Sequence, residues 1–322
     1  MASAAPTAIR RFRQGALDNA SMIVVLLVLL AWLYFRVPGF FSLVNLQGLA
    51  LSVSQVGMVA CTMLFCLAAG DFDLSVESVV IFAGVVAAMV INATGSVTLG
   101  IGAGIVAGGI VGLANGLLIA RLRVNALIAT LATMQIVRGL GFIASHGSAV
   151  GISNERFFAL GTGSFLSVPN PVWITVLCLV VFGLLLNKTT FGPNALAIGG
   201  NREAARLAGI PVERVKIAIF TLQGLMAGFA GVVLASRMTS GQPAIPSGFS
   251  LDVISACVLG GVSLSGGVGT IQGVIVGVLI MGTVQNAMNL SGVETFYQYI
   301  ARGTILLAAV LFDLYRRGRR GV

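Results

Sequence analysis

Three acidic residues, Asp71, Asp73 and Glu77, crowd the stretch GDFDLSVES. Buried together, such carboxylates bind a cation or relay protons; at a membrane edge they cap the helix that follows. Asp73 or Ser75 would then be the N-cap, with Glu77 in the first turn, and a place at the cytoplasmic edge of a span favours that capping reading. Arg138 lies inside the apolar run LIATLATMQIVRGLGF, with Gln135 one helical turn before it. A bilayer-buried arginine costs at least about 2.5–3.5 kcal/mol, so it must face a partner or a wet cavity. Gln285, Asn286, Asn289 and Arg302, in later apolar runs, are candidates to converge with it. Planar amides and guanidinium groups suit ligands rich in hydroxyls, such as sugars. They equally suit plain hydrogen bonding between helices.

Other chemistries have little footing. His146 is the only histidine and sits in a Gly/Ser loop with no acid or cysteine at ligand spacing, so it is expected to be solvated and no metal site is predicted. Cys61, Cys66, Cys178 and Cys257 lie in apolar runs and read as small core residues. No GxSxG, HExxH or CxxC occurs, which removes hydrolase and metalloenzyme readings. Nor does GxxxxGK[ST], so the chain has no cofactor site of its own, and any ATP used here, with its Mg, must bind another subunit.

The elements that must position these residues are membrane spans. The chain is 57% hydrophobic and 9% charged, with mean hydropathy +1.01. That composition belongs to an all-α polytopic membrane protein with membrane lipid around it. Ten transmembrane helices are expected near 20–36, 45–68, 76–93, 97–119, 125–144, 171–187, 215–236, 251–264, 270–290 and 296–314. They form a single transmembrane domain over 1–322, with a retained first span and tails at 1–19 and 315–322. Of 19 Lys and Arg, 14 fall on one side of that arrangement: Arg10, Arg11, Arg13, Arg121, Arg123, Lys188, Arg202, Arg206, Arg214, Lys216, Arg316, Arg317, Arg319 and Arg320. This side is therefore cytoplasmic and holds both termini; the loop 145–170 and the stretch 241–248 face outward. A net charge of +9 distributed this way orients spans and gives no reason to expect nucleic acid.

Glycine recurs at every fourth position in Gly100, Gly104, Gly108, Gly112 and Gly116. Such a stripe lets another helix approach through backbone contacts, within one subunit or between two. A dinucleotide fingerprint would need a preceding strand and a βαβ unit, and neither is present. Gly224/Gly228 and Gly273/Gly277 repeat the device. The segments GDFDLS at 70–75 and GGVSLS at 260–265 echo one another, which suggests two related halves.

One charged stretch interrupts this hydrophobic chain. Residues 188–216 hold seven of its 29 charged residues, and 188–214 is a cytoplasmic loop. Its middle reads as a short helix marked at both ends. Asn201 is the N-cap, Glu203 lies in the first turn, Gly209 takes the C-terminal cap and Pro211 stops continuation. Long structured loops are uncommon and usually functional. A capped helix between spans is a surface for another protein to hold.

Beyond spacing, GDFDLSVESV at 70–79, EAARLAGIPVERVK at 203–216 and ISACVLGGVSLSGGVGTIQG at 254–273 resemble the membrane permeases of bacterial sugar ABC importers. This is the branch serving ribose, xylose, galactose and arabinose, and the similarity covers nearly the whole chain. LATMQIVRGL, FGLLLNKTTFG, AIGGNREAARLAGIPV and VLASRMTSGQP resemble its L-arabinose members in particular. The resemblance implies two permease copies, ABC ATPase subunits beneath them and a periplasmic sugar-binding protein above, in the bacterial inner membrane. It makes Asn201–Gly209 the coupling helix that seats in the ATPase. There Ala204, Ala205, Leu207 and Ala208 would pack in a groove while Arg202, Glu203 and Arg206 face its rim. The chain would be a conduit and not itself an enzyme. The competing class is an ion-coupled carrier working through Asp71, Asp73 and Glu77; a membrane scaffold would leave Arg138 unexplained.

Overall fold

The computed structural model describes residues 22–245 and 248–318. The expected N-terminal tail 1–19, with Arg10, Arg11 and Arg13, lies outside them, as do Arg319 and Arg320. The helices in chain order are α1 (Met22–Arg36), α2 (Leu43–Ala68), α3 (Val76–Thr94), α4 (Val97–Ala120), α5 (Ala126–Ser145) and the short α6 (Ala159–Thr162). They continue with α7 (Asn170–Lys188), α8 (Phe191–Gly200), α9 (Arg202–Leu207), α10 (Val212–Arg237), α11 (Phe249–Leu259), α12 (Ile271–Leu290) and α13 (Thr295–Gly318). Seven of them, α2, α3, α4, α5, α7, α10 and α12, are long and apolar enough to cross a membrane. Three shorter apolar helices, α1, α11 and the first part of α13, fill the other expected places. Because α13 continues to Gly318, the stretch expected as a tail from 315 begins as helix.

One span differs from expectation. The run 251–264 yields only the 11 residues of α11, about 16 Å of helix against a hydrocarbon core of about 30 Å. Gly260 and Gly261, the latter at φ +82°, end it. The chain entering it also leaves the surface early: Ser240–Gly241 pairs with Val150–Gly151, whereas Gly248 already hydrogen-bonds Glu77 inside the bundle. The stretch 241–248 therefore starts at the ribbon with Val150–Gly151 and ends against α3; Pro246 and Ser247 lie outside the described residues.

Short polar residues start the helices. Ser42, Ser96, Asn125 and Thr270 each accept a hydrogen bond from the backbone N–H two or three residues on. His146, exposed, closes α5 in a left-handed conformation at φ +51°. The centre is α2, buried continuously from Gly57 to Ala68 among apolar neighbours, with α10 beside it. All four cysteines are free and buried.

The glycine stripe of α4 packs inside this chain. A Cβ on Gly108 or Gly112 would fall on the carbonyl oxygens of Gly224 or Phe220 in α10, and one on Gly116 would meet Ile217. Gly104 abuts Ala83 and Val232, and Gly100 abuts Ile91 of α3. Gly273 and Gly277 of α12 close on Gly260 and Ala256 in the same way.

The two ends of the bundle differ. At one, Asn92 and the Gly95 carbonyl bond to Gly151, Ser153 and Asn154, and Ser236 ties Phe157 to Gly161. This makes a plate of short ribbons and turns. The other end carries α8 and α9.

Candidate functional site

The charged loop folds as two helices. α8 went unread in the sequence because Gly192, Pro193, Gly199 and Gly200 punctuate it. Pro193 falls in its first turn, where a missing N–H costs nothing. Both terminal glycines permit close approach: a Cβ on Gly192 would strike the Leu186 carbonyl, and one on Gly199 the Ala68 carbonyl.

α9 has both expected caps. Asn201 Oδ1 accepts from Ala204 N at 2.9 Å. At the other end Gly209, at φ +84°, donates to Arg206 O while Ile210 N donates to Ala205 O, the paired bonds of a Schellman cap. Arg202, Glu203, Ala204, Arg206, Leu207 and Ala208 are exposed, Leu207 by 79%. Glu203 and Arg206 pair at 2.9 Å across the outer face. Ala205 differs from the expectation that it faces a groove. It is buried against the body of the chain, because it lies on the inner side of a helix only six residues long.

Beneath α8 the two echoing segments meet. Gly267 N donates to Ala68 O at 2.8 Å, and Gly266 is in backbone contact with both Gly199 and Gly70. α8 thus joins α9 to the end of α2 and to the loop between α11 and α12.

The acidic cluster starts here and runs inward. Asp71 Oδ2 lies 2.7 Å from Lys216 Nζ, both residues buried, although the angle falls outside hydrogen-bond geometry. Asp73 Oδ1 accepts from both the N–H and the hydroxyl of Ser75. Burial pushes the Asp73 carboxyl up to about 6, against the pull of those two bonds. Ser75 accepts from Asn115, which in turn accepts from Thr133. Glu77 Oε2 accepts from Gly248 N, while Glu77 N donates to Ser250 Oγ. The acids order the break between α2 and α3 and tie it to α10 and α11. Ser75 takes the N-cap position of α3 with Glu77 in the first turn, as expected, although the Ser75 side chain makes no cap bond of its own. Among the described residues no three His, Cys, Asp or Glu side chains group to hold a metal ion.

The amides and arginines expected to converge form three separate arrangements. Asn286 exchanges two hydrogen bonds with Asn45 of α2, and Asn289 accepts from Gln298 of α13, so both are interhelical ties. Gln285 and Arg302 lie with Asp252, whose Oδ2 is 3.3 Å from Arg302 Nη1. Gln135 and Arg138 stand apart on α5, which packs on α3 and α4. Gln135 is exposed, and half-buried Arg138 has no hydrogen bond or ion pair among the described residues. Sequence reading missed Asp252 and Asn115. Asp252 had a local signal, a lone carboxylate in the apolar run SLDVISACVL.

Comparison with known proteins places this geometry. Residues 45–310 match the family described as branched-chain amino acid transport system / permease component. The L-arabinose ABC transporter permease protein AraH of Azospirillum brasilense is 59% identical over 319 residues, 99% of this chain and 94% of that protein. The L-arabinose transport system permease protein AraH of Escherichia coli (strain K12) is 60% identical over 300 residues, 93% and 92% of the two chains. The ribose import permease protein RbsC of Bacillus subtilis (strain 168) is 40% identical over 302 residues, 93% and 94%. No solved structure matches.

Proposed function

The chain belongs to this family of transport permease components, and from that membership we propose that it is the membrane subunit of a bacterial ABC importer carrying L-arabinose inward. The carrying observation is the near-full-length identity of 59% and 60% to permeases named for L-arabinose, against 40% to one named for ribose. Xylose, ribose and galactose are the rival sugars.

In this reading the protein sits in the inner membrane with lipid around it and both termini in the cytoplasm, and two copies enclose the path. ATP and Mg bind the partner ATPase, and this chain performs no covalent chemistry. The exposed face of α9 seats in that ATPase, and the plate at the opposite end receives the loaded periplasmic binding protein. Closure of the ATPases moves α9, and the glycine junction passes that motion to α2 and to the loop after α11. Gln135 and Arg138, unpartnered on α5, face the hydrated path or the second copy, which meets the cost of an arginine at membrane depth. The ion-coupled alternative is disfavoured because Asp71, Asp73 and Glu77 are each already engaged.

Glu203→Arg reverses the Glu203–Arg206 pair's acidic partner on the outer face of α9, and Gly209→Val forces a β-branched residue into a left-handed conformation. Each is expected to cut sugar uptake at least tenfold and to stop the ATPase from co-purifying with the permease. Insertion into the membrane is retained. Wild-type uptake and co-purification in both variants would remove α9 as the docking element.

A further inference from the structure

We infer that the hairpin just before α7 is a lipid anchor, its apolar tip set among phospholipid headgroups and upper acyl chains at the end of the bundle opposite α9. The inference goes beyond the transport reading above and requires only that α7 crosses the membrane. Ser164–Phe165 pairs with Val168–Pro169, leaving Leu166 and Ser167 as the two turn residues, at φ +51° and +63°. Such a turn favours Asn-Gly, because both central residues take the left-handed conformation. Here it carries a leucine that is 74% exposed, beside Phe165 at 62%. An apolar tip on a turn that locally prefers small polar residues marks a contact surface.

Continuity with the span identifies the partner as lipid. Trp173 Nε1 donates to the Phe165 carbonyl at 3.1 Å, and the two rings meet edge-on with centroids 6.1 Å apart. Trp173 in turn begins the exposed stripe Trp173, Leu177, Val181 and Leu184, which runs along one side of α7 at helical spacing. The 19 residues of α7 cover about 28 Å, against a hydrocarbon core of about 30 Å. Its first turn therefore lies at the membrane edge and the hairpin at headgroup depth, where tryptophan and other amphipathic rings concentrate. The turn's polar groups agree. The Phe165 carbonyl accepts from Trp173, and the Ser167 carbonyl accepts from Gln47 Nε2 of α2 at 3.3 Å, so protein donors replace water at both. A turn satisfied internally loses little on leaving water. Finally, no charged residue occurs from 157 to 187. Charges steer and register a soluble protein partner, whereas a lipid boundary needs none.

The test uses the full chain in vesicles of phosphatidylethanolamine and phosphatidylglycerol. A nitroxide is attached to Leu166→Cys, and in separate proteins to Glu155→Cys as the water reference and Leu177→Cys as the lipid reference; the native cysteines are buried. Collisions with oxygen, which partitions into lipid, are compared with collisions with a water-soluble nickel chelate. The oxygen-to-nickel ratio at 166 is expected to exceed that at 155 at least fivefold and to approach that at 177. A smaller excess puts the hairpin in water and overturns the proposal. Poor access to both reagents means that a second copy or another protein covers the tip, and equally overturns it. A second measurement leaves the hairpin unaltered. With Trp32→Phe, Trp173 is the sole indole, and phospholipids brominated near the headgroup end of the acyl chain should quench it more than those brominated near the chain end. The reverse order, or no quenching by either lipid, would contradict the anchor. Neither readout involves sugar or ATP, so failure of the importer reading would leave both results standing.

Discussion

Asp71 and Lys216 show why the acidic cluster could be found in the sequence but not understood from it. The two residues are 145 positions apart, and no local spacing announces the 2.7 Å contact that neutralises the carboxylate. Removing one partner of a buried pair leaves an uncompensated charge, at a cost of about 3–5 kcal/mol, whereas replacing both by apolar residues is often near neutral. Asp71→Leu should therefore lower the thermal midpoint of the detergent-purified protein sharply, and Asp71→Leu/Lys216→Met should recover most of it. Equal losses in the single and double variants would show that Asp71 acts independently of Lys216, as a carrier's ion site would. Asn286 and Asn289 teach the converse. Their amides read equally as ligand contacts or helix ties, and only the Asn45 and Gln298 partners decide for ties.

Elements were more legible than contacts. Asn201, Gly209 and Pro211 fixed α9 because caps are local chemistry within a few residues. α8 escaped because its glycines and proline, read alone, say loop; they serve close packing on Leu186 and Ala68, which only the tertiary structure reveals. The length of α11 was overestimated for a related reason: hydropathy continues past Leu259 while the backbone turns at Gly260 and Gly261. The α4 stripe offers a direct contrast. Gly108 has no room beyond its backbone contact with Gly224 and Gly228, while Gly102 on the same helix faces open space. Gly108→Val is expected to destabilise by several kcal/mol or prevent folding, on the order of an overpacked core or worse. Gly102→Val should change the midpoint little. Similar midpoints for both would contradict the packing of α4 on α10.

For the whole molecule, orientation is the next claim open to a simple check. The four native cysteines are buried and give little background labelling. Arg202→Cys on α9 should react with a membrane-impermeant maleimide only in inside-out vesicles, and Glu155→Cys, beside the opposite end's ribbons, only in intact spheroplasts. The reversed pattern would put α9 in the periplasm, away from any ATPase. The basic residues that set this expectation lie in loops and termini, so it rests on their distribution along the chain.

The central claim is that transport runs on ATP hydrolysed elsewhere. The most direct measurement is uptake of labelled L-arabinose into proteoliposomes holding this chain, its partner ATPase and its binding protein, with xylose, ribose and galactose as competitors. Uptake that requires ATP, ignores an uncoupler and yields mainly to unlabelled arabinose is the predicted result. Uptake that persists without the ATPase and collapses with the ion gradient would contradict the account.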